Sequence, residues 1–561
     1  MNKKQTLYQG KKRKTPSLKF SQRSPLSRAA NDLLSTYEKQ YEKASISSTQ
    51  PRIRVGQVLG SVAFTYEKIR NVFDYKGEHL LRRNAIQRIL RRLIWERGNT
   101  DPPALANSLT RELIWARYFE NETIPQNKVD EIAKIIAKYL ELLNLVTKKE
   151  KRNKKNNDWR DWVLGIASCE IEECLVPELF TIEAYSQAMF FWFKENFDWQ
   201  DEDVRPREKD IQIYIAIHRS LPKSDEARIH YHLLKVYFPN WEIADEVTIE
   251  KVKKNIFEIR QEIDGQLNHP LQLRLYRFVQ RHAAPFQILQ EVIEENPRES
   301  RKILANPEKL EKKVREICER RYSQIREKVN RGIIRSIIYI FVTKVLLAFI
   351  LEIPFEIFVL KKINLLPIAI NAFIPPALMF FVGLSIRRPD EANTERVIER
   401  IKSFVYLKEG EEKISFSLVQ TKRKGLISNF FPAVYGALFI LTFGGITYLL
   451  VRLNFNPVSA LIFFVFLSLV LLFGFRVRFT ASEVMVTGEK ESFFPHLFTN
   501  ITLPLLNLGS WLSRGLAQLN ILMVLMDFFI EAPLKSIIEV VEEWTSFIRE
   551  RKEEVVEVPG P

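Results

Sequence analysis

At 561 residues the chain is too long for one ordinary core, because single cores stop growing at about 250–300 residues and longer chains divide. Its net charge of +16 is unevenly placed, and its three cysteines, Cys169, Cys174 and Cys318, are too few and odd in number for a disulfide framework, as expected of thiols kept reduced in cytoplasm. It contains no GxxxxGK[ST], GxGxxG, HExxH or GxSxG, so the common NTPase, dinucleotide, zinc-protease and serine-hydrolase signatures are excluded, and neither enzymatic activity nor a cofactor is expected.

Residues 1–28 carry Lys3, Lys4, Lys11, Lys12, Arg13, Lys14, Lys19, Arg23 and Arg28 without one acid. This predicts a disordered cationic tail that attracts anionic lipid headgroups or nucleic acid, at about 1 kcal/mol per basic residue at an anionic membrane. No apolar run follows these charges, so a secretory signal is not read here and the N-terminal region is expected to be cytoplasmic.

From 29 to 146 apolar residues recur three or four apart, which predicts a basic helical domain broken at Pro51, Gly98 and Pro125. Within it, Leu81, Ile86, Ile89, Leu90, Leu93 and Ile94 form a core stripe on one helix. Arg82, Arg83, Arg88, Arg91, Arg92 and Arg97 occupy its other faces, either to grip phosphates or to meet acids on neighbouring helices. The wholly polar stretch 147–157, TKKEKRNKKNN, reads as a linker, and 158–307 as a second, aromatic-rich helical region. Residues 308–331, with Leu310, Val314, Ile317, Ile325 and Val329 in a broken heptad, predict a stalk or coiled coil able to pair two copies as a homodimer.

The membrane domain is read over 332–475, with spans at 336–360, 363–386, 432–451 and 457–475, each long enough to cross about 30 Å of hydrocarbon. Links at 361–362 and 452–456 are so short that the spans must form two hairpins. Lysine and arginine gather between Arg387 and Gly425, against Lys361, Lys362 and Arg452 on the opposite side, which predicts a multi-pass plasma-membrane protein with both termini cytoplasmic. Residues 476–535 are apolar but interrupted by Pro504, Gly509, Arg514 and Asp527, and read as interfacial or re-entrant. Residues 536–561 read as an amphipathic C-terminal helix and tail. The fold class is therefore all-α: a helical cytoplasmic region followed by a polytopic helical membrane domain.

Charges inside spans are expensive, about 2.5–3.5 kcal/mol each at a helix centre, and mark the candidate site. Lys344, Glu352 and Glu356 follow an i, i+4 stripe beside Pro354, and Asn371 faces them from the second span among Pro367, Pro375 and Pro376. The stretch VLLAFILEIP, Val345 to Pro354, recurs as VLMDFFIEAP, Val524 to Pro533, matching Glu352 to Glu531 and hinting at a duplicated unit. Among the histidines, His230 and His232 are neighbours, but a spacing of two points them apart on a helix. His218 reads as a packed or surface residue, and no metal site is expected. The function read first is a membrane-anchored scaffold whose cytoplasmic helices hold a protein, lipid headgroups or nucleic acid; the alternative is a small ion or solute transporter or channel built on Lys344, Glu352 and Glu356.

Overall fold

The structure, a computed structural model, describes residues 26–46, 51–55, 67–68, 78–96, 98–150, 158–176, 178–386, 389–406, 413–418, 426–482, 485, 502–513 and 544. The elements in chain order are α1 (Arg28–Ile46), α2 (Glu78–Trp95), α3 (Pro102–Trp115), α4 (Gln126–Glu150), α5 (Asp158–Leu175), α6 (Glu178–Asn196), β1 (Phe197–Trp199), α7 (Pro206–Ser220), α8 (Glu226–Tyr237), α9 (Glu246–Leu267), α10 (Gln272–Gln280), α11 (Ala283–Glu295) and α12 (Ser300–Leu304). There follow α13 (Pro307–Leu360), α14 (Leu365–Leu384), α15 (Glu391–Val405), β2 (Ile414–Phe416), α16 (Leu426–Arg452), α17 (Pro457–Ser482) and α18, residues 502–513. The fold is all-α apart from the three-residue strands β1 and β2, which pair in parallel with Trp199 opposite Phe416.

Short polar residues start the helices where the sequence places them. Asp101, Asp225, Asp245 and Asp390 each accept a hydrogen bond from the backbone N–H three residues on, and Asn306 accepts from Glu308 and Lys309. Proline occupies the first turn of α3, α7 and α13, where its missing N–H costs nothing.

Two cores organise the region before the membrane. One joins α2–α5 to α8 and α9 through Ile86, Leu90, Leu109, Ile132, Leu164, Tyr231 and Trp241. The other joins α6, α7, α10–α12 and the first turns of α13 through Trp192, Phe286, Leu310, Val314 and Ile317. Helix α1 belongs to the second core and not to its sequence neighbours, because Ala30, Leu33 and Leu34 cover a face of α6. The loop between the second and third spans belongs there too. Val397, Ile398, Ile401 and Phe404 of α15 are buried in it, and Ser27 donates from its N–H to Val405 O (2.8 Å) and from its Oγ to Phe404 O (2.7 Å).

The heptad seam of 308–331 is occupied within the chain, since Leu310, Val314 and Ile317 face the second core. Its charges are used there as well: Arg315 pairs with Glu311, Glu391 and Glu395, and Arg321 with Glu291 at 2.5 Å. Helix α13 runs on for 54 residues from this core into the apolar segment.

Four helices are long and apolar enough to cross a membrane, lying within α13, α14, α16 and α17. Three of them, α13, α14 and α17, pack closely, with Val329, Ile333, Met379 and Val470 between them. Gly474 permits the approach, since a Cβ there would lie 2.5 Å from Val382. Helix α16 stands outside this trio, with 11% of its apolar window buried. Lys361 and Asn454, both in the left-handed region (φ 51° and 59°), turn the two hairpins, which touch where Asn364 Nδ2 donates to Asn454 O at 3.5 Å. Helix α18 lies on α17, with Gly509 against the Ser468 carbonyl and Asn507 Nδ2 donating to Tyr435 Oη at 2.7 Å. Glu531, the proposed repeat Val524–Pro533, the basic tail 1–25 and most of 536–561 lie outside the described residues.

Candidate functional site

The charges within the apolar helices come together. Lys344 is 1% exposed and Glu352 fully buried, with Nζ 3.7 Å from Glu352 Oε1 and 4.6 Å from the centre of the Phe466 ring. Asn371 Nδ2, from α14, lies 3.1 Å from both carboxylate oxygens and 3.0 Å from Ser459 O of α17, and Ser459 Oγ lies 3.4 Å from Oε2. Three apolar helices, each long enough to cross a membrane, thus converge on one buried carboxylate.

Glu356 does something different. Its Oε2 accepts from the Asn364 N–H at 2.8 Å and its Oε1 from Asn456 Nδ2 at 3.1 Å, so it clasps the starts of α14 and α17 where the hairpins turn. It is buried despite its position near the turns.

Pro354 explains the helix geometry between these residues. Lacking an N–H, it breaks the ordinary ladder, and α13 widens into π-helical turns at Ala348–Glu352 and Glu356–Leu360 on either side of Ile353–Phe355. The widened turns carry Glu352 and Glu356, while Lys344, Glu352 and Glu356 remain on one buried side. Among the described residues Lys344 Nζ and Asn371 Oδ1 have no hydrogen-bond partner, so this network is only partly satisfied there.

The described arginines of α2 each have an acidic partner within the chain. Arg82 Nε pairs with Glu172 at 3.1 Å, Arg83 with Asp225 at 2.6 Å, Arg88 with Glu67, Arg91 with Asp161 and Arg92 with Glu112. Glu172 is shared with Arg228 of α8. Of these pairs Arg91–Asp161 is substantially exposed, while Arg97 lies outside the described residues. The arginine face therefore binds α2 to α3, α5 and the start of α8.

Sequence reasoning missed Ser459, Asn456 and Asn364, which sit at helix starts and read as capping residues. It also missed a cluster in the helical region before α13, partly buried Glu183 with buried His218 and His232, from α6, α7 and α8. Glu183 Oε2 lies 3.4 Å from His218 Nε2 and 3.6 Å from His232 Nδ1, and Tyr214 Oη donates to Glu183 Oε1 at 3.1 Å. Burial holds both imidazoles below their ordinary range, His232 at about 3, and pushes Glu173 beside them up to about 7. His230 points elsewhere, to Asp264 at 2.8 Å, as its spacing from His232 requires.

No family model matches the chain, and no curated protein or solved structure is significantly similar to it.

Proposed function

We propose that this is a multi-pass plasma-membrane protein that moves protons or a small cation along the buried polar side of α13, with its large helical body in the cytoplasm. The observation that carries the reading is the Lys344–Glu352–Asn371–Ser459 network, a buried charge pair assembled within the apolar segments of three helices. From Lys344 to Glu356 the titratable groups extend over about 18 Å at 1.5 Å per residue, a large part of a hydrocarbon layer of about 30 Å. Charges held at such cost inside a membrane mark ion and proton routes by default, and π turns recur at working sites. The scaffold reading draws on the same large body, but its best cationic surface is engaged: the described arginines of α2 have acidic partners within the chain.

The test is flux in proteoliposomes under imposed proton, sodium and potassium gradients. Wild type should conduct, and Glu352→Gln should fall to the protein-free baseline. Because that variant strands a buried lysine, Lys344→Met/Glu352→Gln is measured beside it. A pair that merely fixes packing predicts wild-type flux in the double variant; a transport pair predicts none. Wild-type vesicles silent under every gradient would sink the proposal and return attention to what the helical body holds.

A further inference from the structure

We infer that Glu183, His218 and His232 form a structural binding site for a divalent transition metal of the zinc class, stapling α6, α7 and α8 in the soluble body. The inference is independent of the transport reading. Its first support is spacing. The two nitrogen-to-oxygen distances, 3.4 and 3.6 Å, exceed an ordinary hydrogen bond, and all three donor atoms lie within 4.8 Å of one another. Donors around a tetrahedral zinc at about 2.0–2.1 Å are separated by about 3.3–3.4 Å, so the carboxylate stands from each imidazole at nearly the distance a shared cation would set.

The second support is an orphaned side chain. His218 is 1% exposed, and among the described residues neither of its ring nitrogens has a hydrogen-bond partner, the nearest being Glu183 Oε2 at 3.4 Å from Nε2. A buried imidazole with both nitrogens unmatched is costly, and a metal at Nε2 supplies the missing interaction. The third is the surrounding shell. His232 presents Nδ1 to the cluster while its Nε2 faces Glu173 Oε1 at 3.5 Å, the arrangement by which an outer carboxylate orients a ligating histidine. Glu173 is in turn held by Lys235 at 3.2 Å, and Lys235 by Glu242 at 2.5 Å. Tyr214 occupies Glu183 Oε1 and leaves Oε2 to the cluster. Two cations, Arg228 and Lys235, lie near the histidines, and both are engaged by carboxylates, Arg228 by Glu172 and Lys235 by Glu173 and Glu242.

The position argues for a structural role. Glu183 and His218 are next to Ala184, Tyr185 and Ile217 of the second core, whereas His232 follows Tyr231 of the first. A metal here ties one core to the other across three helices. The donor set of two imidazoles and one carboxylate suits zinc, with cobalt(II) as a spectroscopic substitute, better than calcium or magnesium, which favour oxygen.

The experiment uses the full-length protein purified in detergent without chelator, with metal content measured by mass spectrometry and unfolding followed by heat. The expected result is about one zinc per chain, a lower melting temperature after chelation, and its recovery on adding zinc ions. Glu183→Gln and His232→Gln should lose the metal, whereas His230→Gln should keep it. Glu173→Gln, outside the donor set, should weaken zinc binding about 10- to 100-fold without abolishing it. Cobalt(II) should give visible absorption in wild type and His230→Gln but not in Glu183→Gln. Wild type that carries no zinc and whose melting is unmoved by added zinc would overturn the inference, as would stoichiometric zinc retained in both Glu183→Gln and His232→Gln. Should a donor variant fail to fold, wild type alone decides through metal content and the response to zinc.

Discussion

His282 caps the start of α11, half-buried against Trp192, Phe197 and Phe278, with its imidazole pushed down to about 3 by burial and then by Arg400 and Arg281. Its folded value lies below the unfolded value of about 6.5, so the stability it contributes is present above that pH and lost as pH falls toward 3. Below pH 6 the unfolded chain takes up a proton that the folded chain refuses, which costs about 1.4 kcal/mol per pH unit. The expected outcome is that His282→Gln flattens the acid limb of a stability-against-pH curve by about that slope, measured by denaturant melts between pH 6 and 4; an unchanged slope would mean that the ring is hydrated. The buried Arg92–Glu112 pair makes a second test. Glu112→Gln leaves a guanidinium buried without its charge partner and should cost about 3–5 kcal/mol, whereas Asp161→Asn, facing the exposed Arg91, should cost about 1 kcal/mol or less. At this scale the sequence revealed Lys344, Glu352 and Glu356, because charges stand out in apolar runs. It did not reveal Ser459 or the Glu183–His218–His232 cluster. Each of those residues is ordinary on its own helix, and only tertiary packing brings them together.

Elements were legible in proportion to their local signal. The four apolar helices follow from hydropathy, and Lys361 and Asn454 take left-handed positions in the short connections between them. The π turns were not legible. Pro354 predicts a disturbance, but whether a helix kinks or widens depends on what packs beside it. Helix α15 was hidden for another reason: the loop from 387 to 425 reads as a run of positive charge, which masks the stripe of Val397, Ile401 and Phe404 that enters a core. Strands β1 and β2, three residues each, carry no pattern that a sequence could show. If α15 is structural and not a mere tether, Phe404→Ala should destabilise the soluble body by about 3–5 kcal/mol, the usual cost of emptying a buried phenylalanine site. Arg396→Ala, on the same helix, serves as the comparison, and equal melting of the two variants would refute the assignment.

At the scale of the whole molecule, packing and charge bear on the same question by separate routes. Helix α1, the base of α13 and α15 share one core, and a core cannot be divided by about 30 Å of hydrocarbon, so the N-terminal body and the loop after α14 must occupy one side of any membrane that the four helices cross. The turns at Lys361 and Asn454 then fall on the other side, with Glu356 clasping both. Only the identity of the sides rests on charge, through the lysines and arginines of 387–425. Single cysteines introduced at Lys362 and Lys413 of a cysteine-free protein separate these statements. In intact cells a membrane-impermeant maleimide should label position 362 directly and position 413 only after permeabilisation. Labelling of both from one side would break the shared-core argument itself. The reverse pattern would leave that argument intact and invert the topology, placing the Glu356 end of the proposed route toward the cytoplasm and the Lys344 end, with the helical body, outside.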